Sequence, residues 1–545
     1  MSRAVARDLY IMKSESQTVR ALRLALIAAL LITCNLIAHA QKRSTYENPA
    51  LAGDYPDPSV IRVGREYWAV ATSSEWAPEF PIFVSGDLVN WRVVGAVFQK
   101  RPAWSVGNYW APEISYNRGK YFVYYVGRKN GGPLCVAVAT SNRPAGPYED
   151  HGPMVCQEAG SIDPLPVTDE RGVRYLLWKE DGNSRKEPTP IWAQQLSADG
   201  TKLVGERREL IRNDAPWEAQ LVEGPFVLRR GDWFYMFYSG NACCTRECNY
   251  AMGVARSRSL LGPWEKYKDN PILKGNAAWK CPGHGSIVAD QRGRTFMFYH
   301  AYDTNDSVYV GREAMLDEVT WNTDGWPAIN NGRGPSRNSP SPMNVIERNA
   351  EYSFFDDFTS ATLTAGWQWP QENQPNIKIE PRRNGGQLLL TPNTPRASDP
   401  IGAILARSTT TGDYLATTEV DMTSLKPGAL AGLAAIGDQE NAAGVTVGAD
   451  GKVSVWKRQK NQHETVATAT TPGSNLVCLR LSTREGHLFK FAISRNGRNW
   501  TDVGPELNGD YLPPWDRGVR VALTAGNTAG AAARFNSLRI VPAGK

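Results

Sequence analysis

Several things are scarce in this 545-residue sequence, and each shortage removes a class of protein. Only one long apolar run is present, near the start, and a mean hydropathy of −0.41 with 21% charged residues excludes a polytopic membrane protein. Neither sign of charge dominates: 61 Lys and Arg stand against 55 Asp and Glu, and part of the resulting +6 lies in residues 1–40. Basic residues are scattered, so no nucleic-acid partner is implied. Cysteine is sparse, and Cys243-Cys244-x-x-x-Cys248 lacks the two separated pairs of a zinc ribbon. No helical period of any length competes after Tyr352. What is plentiful is 18 Trp, 21 Tyr, 49 Gly and 36 Pro. That mixture suits short aromatic strands joined by tight turns and surfaces that stack on sugar rings.

The apolar run LALIAALLITCNLI covers residues 24–37, follows Lys13, Arg20 and Arg23, and ends at Ala38-His39-Ala40, a small-x-small pattern. It reads as a signal peptide over residues 1–40, cut before Gln41, which makes the expected location secreted or periplasmic with no membrane contact afterwards. Seven cysteines would remain: Cys135, Cys156, Cys243, Cys244, Cys248, Cys281 and Cys478. Export favours disulfides that staple loops, and the odd count leaves at least one without a partner.

A repeat organises the N-terminal half. A glycine-led aromatic strand recurs as GREYWAVA from Gly64, GKYFVYY from Gly119, GVRYLLW from Gly172, GDWFYMFYSG from Gly231 and GRTFMFYH from Gly293. Five units of about four short strands describe a five-bladed β-propeller over residues 41–330. Residues 331–350, which include NGRGPSRNSPSP, read as a linker, and residues 351–545 as an antiparallel β-sandwich. The whole chain is therefore expected to be all-β.

In a propeller the first strand of each blade runs along the central channel. Reading back six to nine positions from each glycine gives Asp57, Glu113, Asp163, Glu223 and His284, four carboxyls and an imidazole expected to face one funnel. Asp57, Asp163 and Glu223 each have Pro beside or near them. Cleaving a glycosidic bond needs one carboxyl kept protonated for the leaving oxygen and one kept ionised, and a third raises the acid's pKa by repulsion. Each acid taken singly is equally well a carboxylate capping a turn; their joint occurrence at matching blade positions favours catalysis.

The segments DYPDPSVIRVGREYW, YWAPEISYNRGKYFVYY, SIDPLPVTDERGVRYLLW, EGPFVLRRGDWFYMFYS and GHGSIV together resemble glycoside hydrolase family 43 over most of residues 46–330. The resemblance implies a five-bladed propeller that hydrolyses arabinofuranosyl or xylosyl linkages in plant-type polysaccharides or their oligosaccharides with inversion. It implies Asp57 as general base, Glu223 as general acid and Asp163 as pKa modulator, the base and acid standing about 6.5 to 9.5 Å apart. His284 resembles the central histidine that in some members helps hold a calcium or other ion on the axis; no cofactor is otherwise required. Arg312 resembles a sugar-contacting arginine. Trp76, Tyr109 and Trp110 are expected on loops as a stacking wall. Residues from Tyr352 onward resemble the concanavalin A-like sandwich appended to related members, either narrowing the pocket, tethering the enzyme or buttressing it. The alternative from another class is a non-catalytic propeller lectin. Lectins repeat their binding residues in every blade, whereas this chain places different residues at the matching positions.

Overall fold

The five glycines that lead the aromatic strands all sit in the turn between the first and second strands of a blade. Gly64, Gly119, Gly172, Gly231 and Gly293 have φ between 58° and 86°, and nothing lies within 4 Å of where a Cβ would stand at any of them. Backbone conformation, not space, selects glycine there. In the computed structural model, which describes residues 45–342 and 352–543 except 306, 383–384, 394–395, 397, 472–473, 514–516 and 529, these turns build five four-stranded antiparallel sheets. The expected export segment lies outside the described residues.

The first blade holds strands Ser59–Val63, Glu66–Val70, Glu79–Ser85 and Trp91–Phe98, and the second Trp110–Asn117, Lys120–Arg128, Leu134–Ser141 and Glu149–Val155. The third has Ser161–Thr168, Arg174–Glu180, Ile191–Leu196 and Leu203–Ile211; the fourth Val222–Arg230, Trp233–Gly240, Ala251–Ser257 and Glu265–Lys266. The fifth has Trp279–Ala289, Thr295–Asp303, Glu313–Trp321 and Pro327–Ile329. The five first strands neighbour one another in a closed ring, the last beside the first. Second strands are covered on both faces by adjoining blades, which is why WFYMFY and FMFY read as apolar runs and not as alternation.

The stretch expected as a linker starts as packed structure. Asn48 donates to the Leu316 and Ser336 carbonyls, and the Ser339 hydroxyl donates to Asp317. Residues 343–350 lie outside the described residues. From Phe354 the chain forms a sandwich of a nine-stranded and a six-stranded sheet. The six-stranded sheet runs Ala403–Ser408, Arg520–Gly526, Leu430–Ile436, Ala442–Gly448, Lys452–Gln459, Gln462–Thr470.

Sandwich and propeller share one apolar core. Leu221, Tyr250, Tyr302, Val308 and Tyr309 of the propeller pack in the same cluster as Leu405, Leu433, Phe489 and Leu523. The short strand Trp369–Pro370 pairs with Trp76–Ala77 of the first blade. Trp76 is therefore in the seam: 2% exposed, packed with Ile404 and Trp456, and covered by the Arg520 guanidinium 4.5 Å from its ring centroid. Large aromatics bury area wherever a second layer offers it, and here the sandwich does.

Candidate active site

At the same level in every blade a residue takes the left-handed conformation: Asp57 (φ 52°), Ala111 (41°), Asp163 (56°), Gly224 (56°) and His284 (47°). Proline follows the first four. In blades two to five the strand pairing slips at this point, the mark of a bulge. A bulge takes one side chain out of the pleat's alternation and re-aims it, and such backbone costs about 1–3 kcal/mol at a non-glycine residue. Repeated round the ring, it brings Asp57, Asp163 and His284, with Glu223 beside the Gly224 bulge, into one cavity of about 480 Å³. Trp110, Lys179, Leu221, Arg312, Cys243 and Cys244 complete much of its wall.

Asp57 is the most heavily tied. Arg312 Nη1 lies 3.2 Å and His284 Nδ1 3.5 Å from its Oδ1, while the Thr72 hydroxyl donates to Oδ2 at 2.7 Å. His300 Nδ1 lies between the Asp57 backbone N–H, at 3.1 Å, and Asp57 Oδ1, at 3.2 Å. Burial opposes the Asp57 charge, but Arg312, then His284 and His300, outweigh it and hold the carboxyl well below its ordinary pKa. Burial lowers His300 to about 4, so it is neutral.

Across His284, whose Nδ1 is 4.0 Å from Asp163 Oδ2, lies a second pair of acids. Asp163 Oδ2 accepts the Gly224 N–H at 2.8 Å, and a Cβ on Gly224 would fall 3.1 Å from His284 Cγ. Glu223 Oε1 accepts the Tyr250 hydroxyl at 2.8 Å and Oε2 the Lys179 ammonium at 2.7 Å. Lys179 gives its other protons to Asp181 and Asn183, each at 2.9 Å. Burial raises Asp163 to about 7, with the neighbouring Glu223 charge adding to the rise against the pull of His284 and Lys179. Burial also opposes ionisation of Glu223, yet Lys179 and Tyr250 hold it below its ordinary value. The two acids titrate as a unit, and that unit keeps one proton to about neutral pH. Asp57 meanwhile stays ionised.

Of the residues singled out in the sequence, Asp57, Asp163, Glu223, His284, Arg312 and Trp110 line this cavity. Arg312 is 3% exposed and its guanidinium pairs with Asp57. Trp76 does not reach the cavity, for the reason given above. Tyr109 is fully buried among Phe80, Val123 and Tyr125, its hydroxyl bound to Ser105. Glu113 does not line the cavity either: the blade-two bulge falls at Ala111, two residues earlier, and burial beside Ser59 raises the Glu113 carboxyl to about 8. Among the described residues no group of three or more His, Cys, Asp or Glu side chains is arranged to hold a metal.

Reading only the first strands missed a second layer of polar residues. Lys179 pairs with Ile162, Ser239 with Glu223 and His300 with Gly283 on the adjacent second strands. The signal was a polar residue ending four of the five aromatic runs seven or eight positions after the glycine: Thr72, Lys179, Ser239 and His300.

Sequence comparison identifies both domains. The model of glycosyl hydrolases family 43 matches residues 46–327. The chain belongs to that family. Residues 355–540 match the beta xylosidase C-terminal concanavalin A-like domain. Among curated relatives, "Xylosidase/arabinosidase 43B" of Humicola insolens is 27% identical over 85% of this chain and 90% of its own length. "Xylan 1,3-beta-xylosidase" of a Vibrio species is 29% identical over 59% of this chain, and that match spans 64% of the relative. The GH43 BlXynB protein of Bacillus licheniformis superposes with a TM-score of 0.79 at 26% identity, covering 92% of this chain and all of that one. The two matches together cover the propeller and the sandwich.

Proposed function

We propose that this chain is a secreted, inverting glycoside hydrolase that cleaves xylosyl or arabinofuranosyl linkages in plant-type polysaccharides or their oligosaccharides. One observation carries the reading. Two sets of carboxyls face each other across His284 with their proton affinities pushed apart, Asp57 held ionised by Arg312 and the Asp163–Glu223 unit retaining a proton to about neutral pH. Such a split is what separates a base from an acid in one pocket.

In this reading a water on the Asp57 side attacks the anomeric carbon while Asp57 takes its proton. Glu223 donates the unit's proton to the leaving oxygen, and Asp163 sustains the affinity that keeps it there. Lys179 opposes protonation of Glu223 in the free enzyme, so transfer of the shared proton onto Glu223 belongs to the substrate-bound state. Arg312 and His284 fix Asp57, and Trp110 offers a ring face to the sugar. An ion on the axis, if His284 helped hold one, would supply positive charge close to Asp57 and Asp163, the two carboxyls beside that ring. The substrate class follows the activities for which the xylosidase and arabinosidase relatives are named, and secretion follows the sequence of residues 1–40.

The test is hydrolysis of 4-nitrophenyl β-D-xyloside, 4-nitrophenyl α-L-arabinofuranoside and the matching oligosaccharides by wild type and Glu223→Ala. Release of a pentose that collapses in the variant supports the reading. Silence on every substrate with retained glycan binding would put the lectin reading in its place.

A further inference from the structure

The wall of the cavity contains an unusual element that the proposed chemistry does not use. Cys243 and Cys244, adjacent in sequence, are joined by a disulfide, and both line the cavity that holds Glu223. A bond between neighbouring cysteines closes a small ring through one peptide unit. It removes the side-chain freedom of both residues and replaces two thiols with a rigid sulfur surface that donates no hydrogen bond.

The loop bearing this ring is pinned along its length. The Asn249 N–H donates to the Ala242 carbonyl at 3.0 Å, and Cys248 is bonded to Cys281 of the fifth blade. Arg246 donates to the Asp510 and Leu512 carbonyls of the sandwich and lies over the Tyr309 ring, while Lys280 Nζ donates to the Arg246 carbonyl at 3.0 Å. The same loop ends at Tyr250, whose hydroxyl holds Glu223. The disulfide is thus fixed relative to the acid from both sides.

Position then assigns a role. An acid protonates the leaving oxygen, so the surface flanking it on the side away from the base meets the departing group. Beside Asp57 the cavity is lined by Arg312 and His284, polar groups that suit the hydroxyls of the sugar under attack. Apart from the polar set of Lys179, Asp181 and Asn183, the cavity that holds Glu223 carries the disulfide and Leu221, which is 7% exposed. A pyranose or furanose presents C–H groups on one face, and a flat apolar ledge is the complement of that face.

We propose that the Cys243–Cys244 disulfide, with Leu221, is a preorganised leaving-group subsite that packs against the apolar face of the sugar released beyond the scissile bond. The inference rests on the glycosidase reading, and its test separates the two. Wild type and Cys243→Ser/Cys244→Ser are compared on a pentose disaccharide, alongside inhibition by the free monosaccharide, which occupies only the Asp57 side. The expected result is a fall of about tenfold in kcat/KM on the disaccharide, equal to about 1.4 kcal/mol, with the monosaccharide inhibition constant within about twofold of wild type. Leu221→Ala, which keeps the disulfide, should show the same split at about threefold. A non-reducing peptide map should find residues 243 and 244 linked within one peptide.

An unchanged disaccharide kcat/KM, a parallel change in both constants, or two alkylatable thiols in the map would overturn the subsite. If the double variant does not fold, Leu221→Ala alone decides, and absence of the split there overturns it. Failure of wild type on every pentoside would instead remove the glycosidase reading and this one with it.

Discussion

Replacing Lys179 by Met tests the electrostatics of the acid side in isolation. Its ammonium, 1% exposed, sits 2.7 Å from Glu223 Oε2. Opposite unit charges about 4 Å apart interact by about 4 kcal/mol at an effective dielectric near 20, and about 1.36 kcal/mol corresponds to one pH unit in a titration. The sign follows from the direction of the effect. A cation favours the ionised neighbours, so Lys179 lowers the proton affinity of both Glu223 and Asp163, and its removal raises both. Asp181, left without its partner, adds negative charge of the same consequence. The acid must be protonated to work, so the high-pH limb of kcat/KM falls near 7 in wild type and moves up by more than about one pH unit in the variant. The low-pH limb, set by Asp57, stays below the ordinary carboxylate range in both. The assay is a pH profile of kcat/KM on a 4-nitrophenyl pentoside, with circular dichroism to verify folding. A high-pH limb that does not move in a folded, active variant would show that the titrating proton does not belong to the Asp163–Glu223 unit.

Three further results are expected. Glu223→Ala should lose about 10²–10⁴ in rate on natural linkages but far less on a 2,4-dinitrophenyl glycoside, whose leaving group needs no proton, whereas Asp57→Ala should lose as much on both; equal leaving-group dependence would contradict the assignment. Arg520→Met strands Asp54, which is 7% exposed and accepts from Arg520, Gly518 and Arg312, so a loss of about 3–5 kcal/mol and a clear fall in Tm are expected, and an unchanged melt would refute the buttress. A chain ending at Pro342 should be insoluble or unfolded by circular dichroism, because Tyr250, Tyr302 and Tyr309 lose the core they share with the sandwich; a soluble, active propeller would refute this.

The propeller was legible because its signal is repeated. Five glycines required by backbone conformation mark five turns, and five left-handed residues, four of them followed by Pro, mark one level of the channel. Asp57, Asp163, Glu223 and His284 follow from that register. Glu113 shows where counting back from glycine fails, since turn length differs between blades and the bulge of blade two falls on Ala111. Trp76 shows a different limit: its loop position was readable, but its burial depends on a strand almost three hundred residues away, Trp369–Pro370. The same holds for Asp54. In the sequence it is an acid three residues before Asp57, while in the fold it joins the Arg312 backbone to Arg520, so that the sandwich braces the strap carrying the proposed base. The odd number of cysteines required one without a partner, but neither its identity as Cys478 nor the pairing of Cys243 with Cys244 is encoded in the spacing.

The central claim is that Asp57 activates a water on the face opposite the leaving group. It is tested most directly by following hydrolysis of a β-D-xyloside or α-L-arabinofuranoside by proton NMR during the first minutes, before mutarotation. The account predicts that the first sugar released carries the inverted anomeric configuration. Release of the retained anomer would require a covalent intermediate on the enzyme and would contradict it.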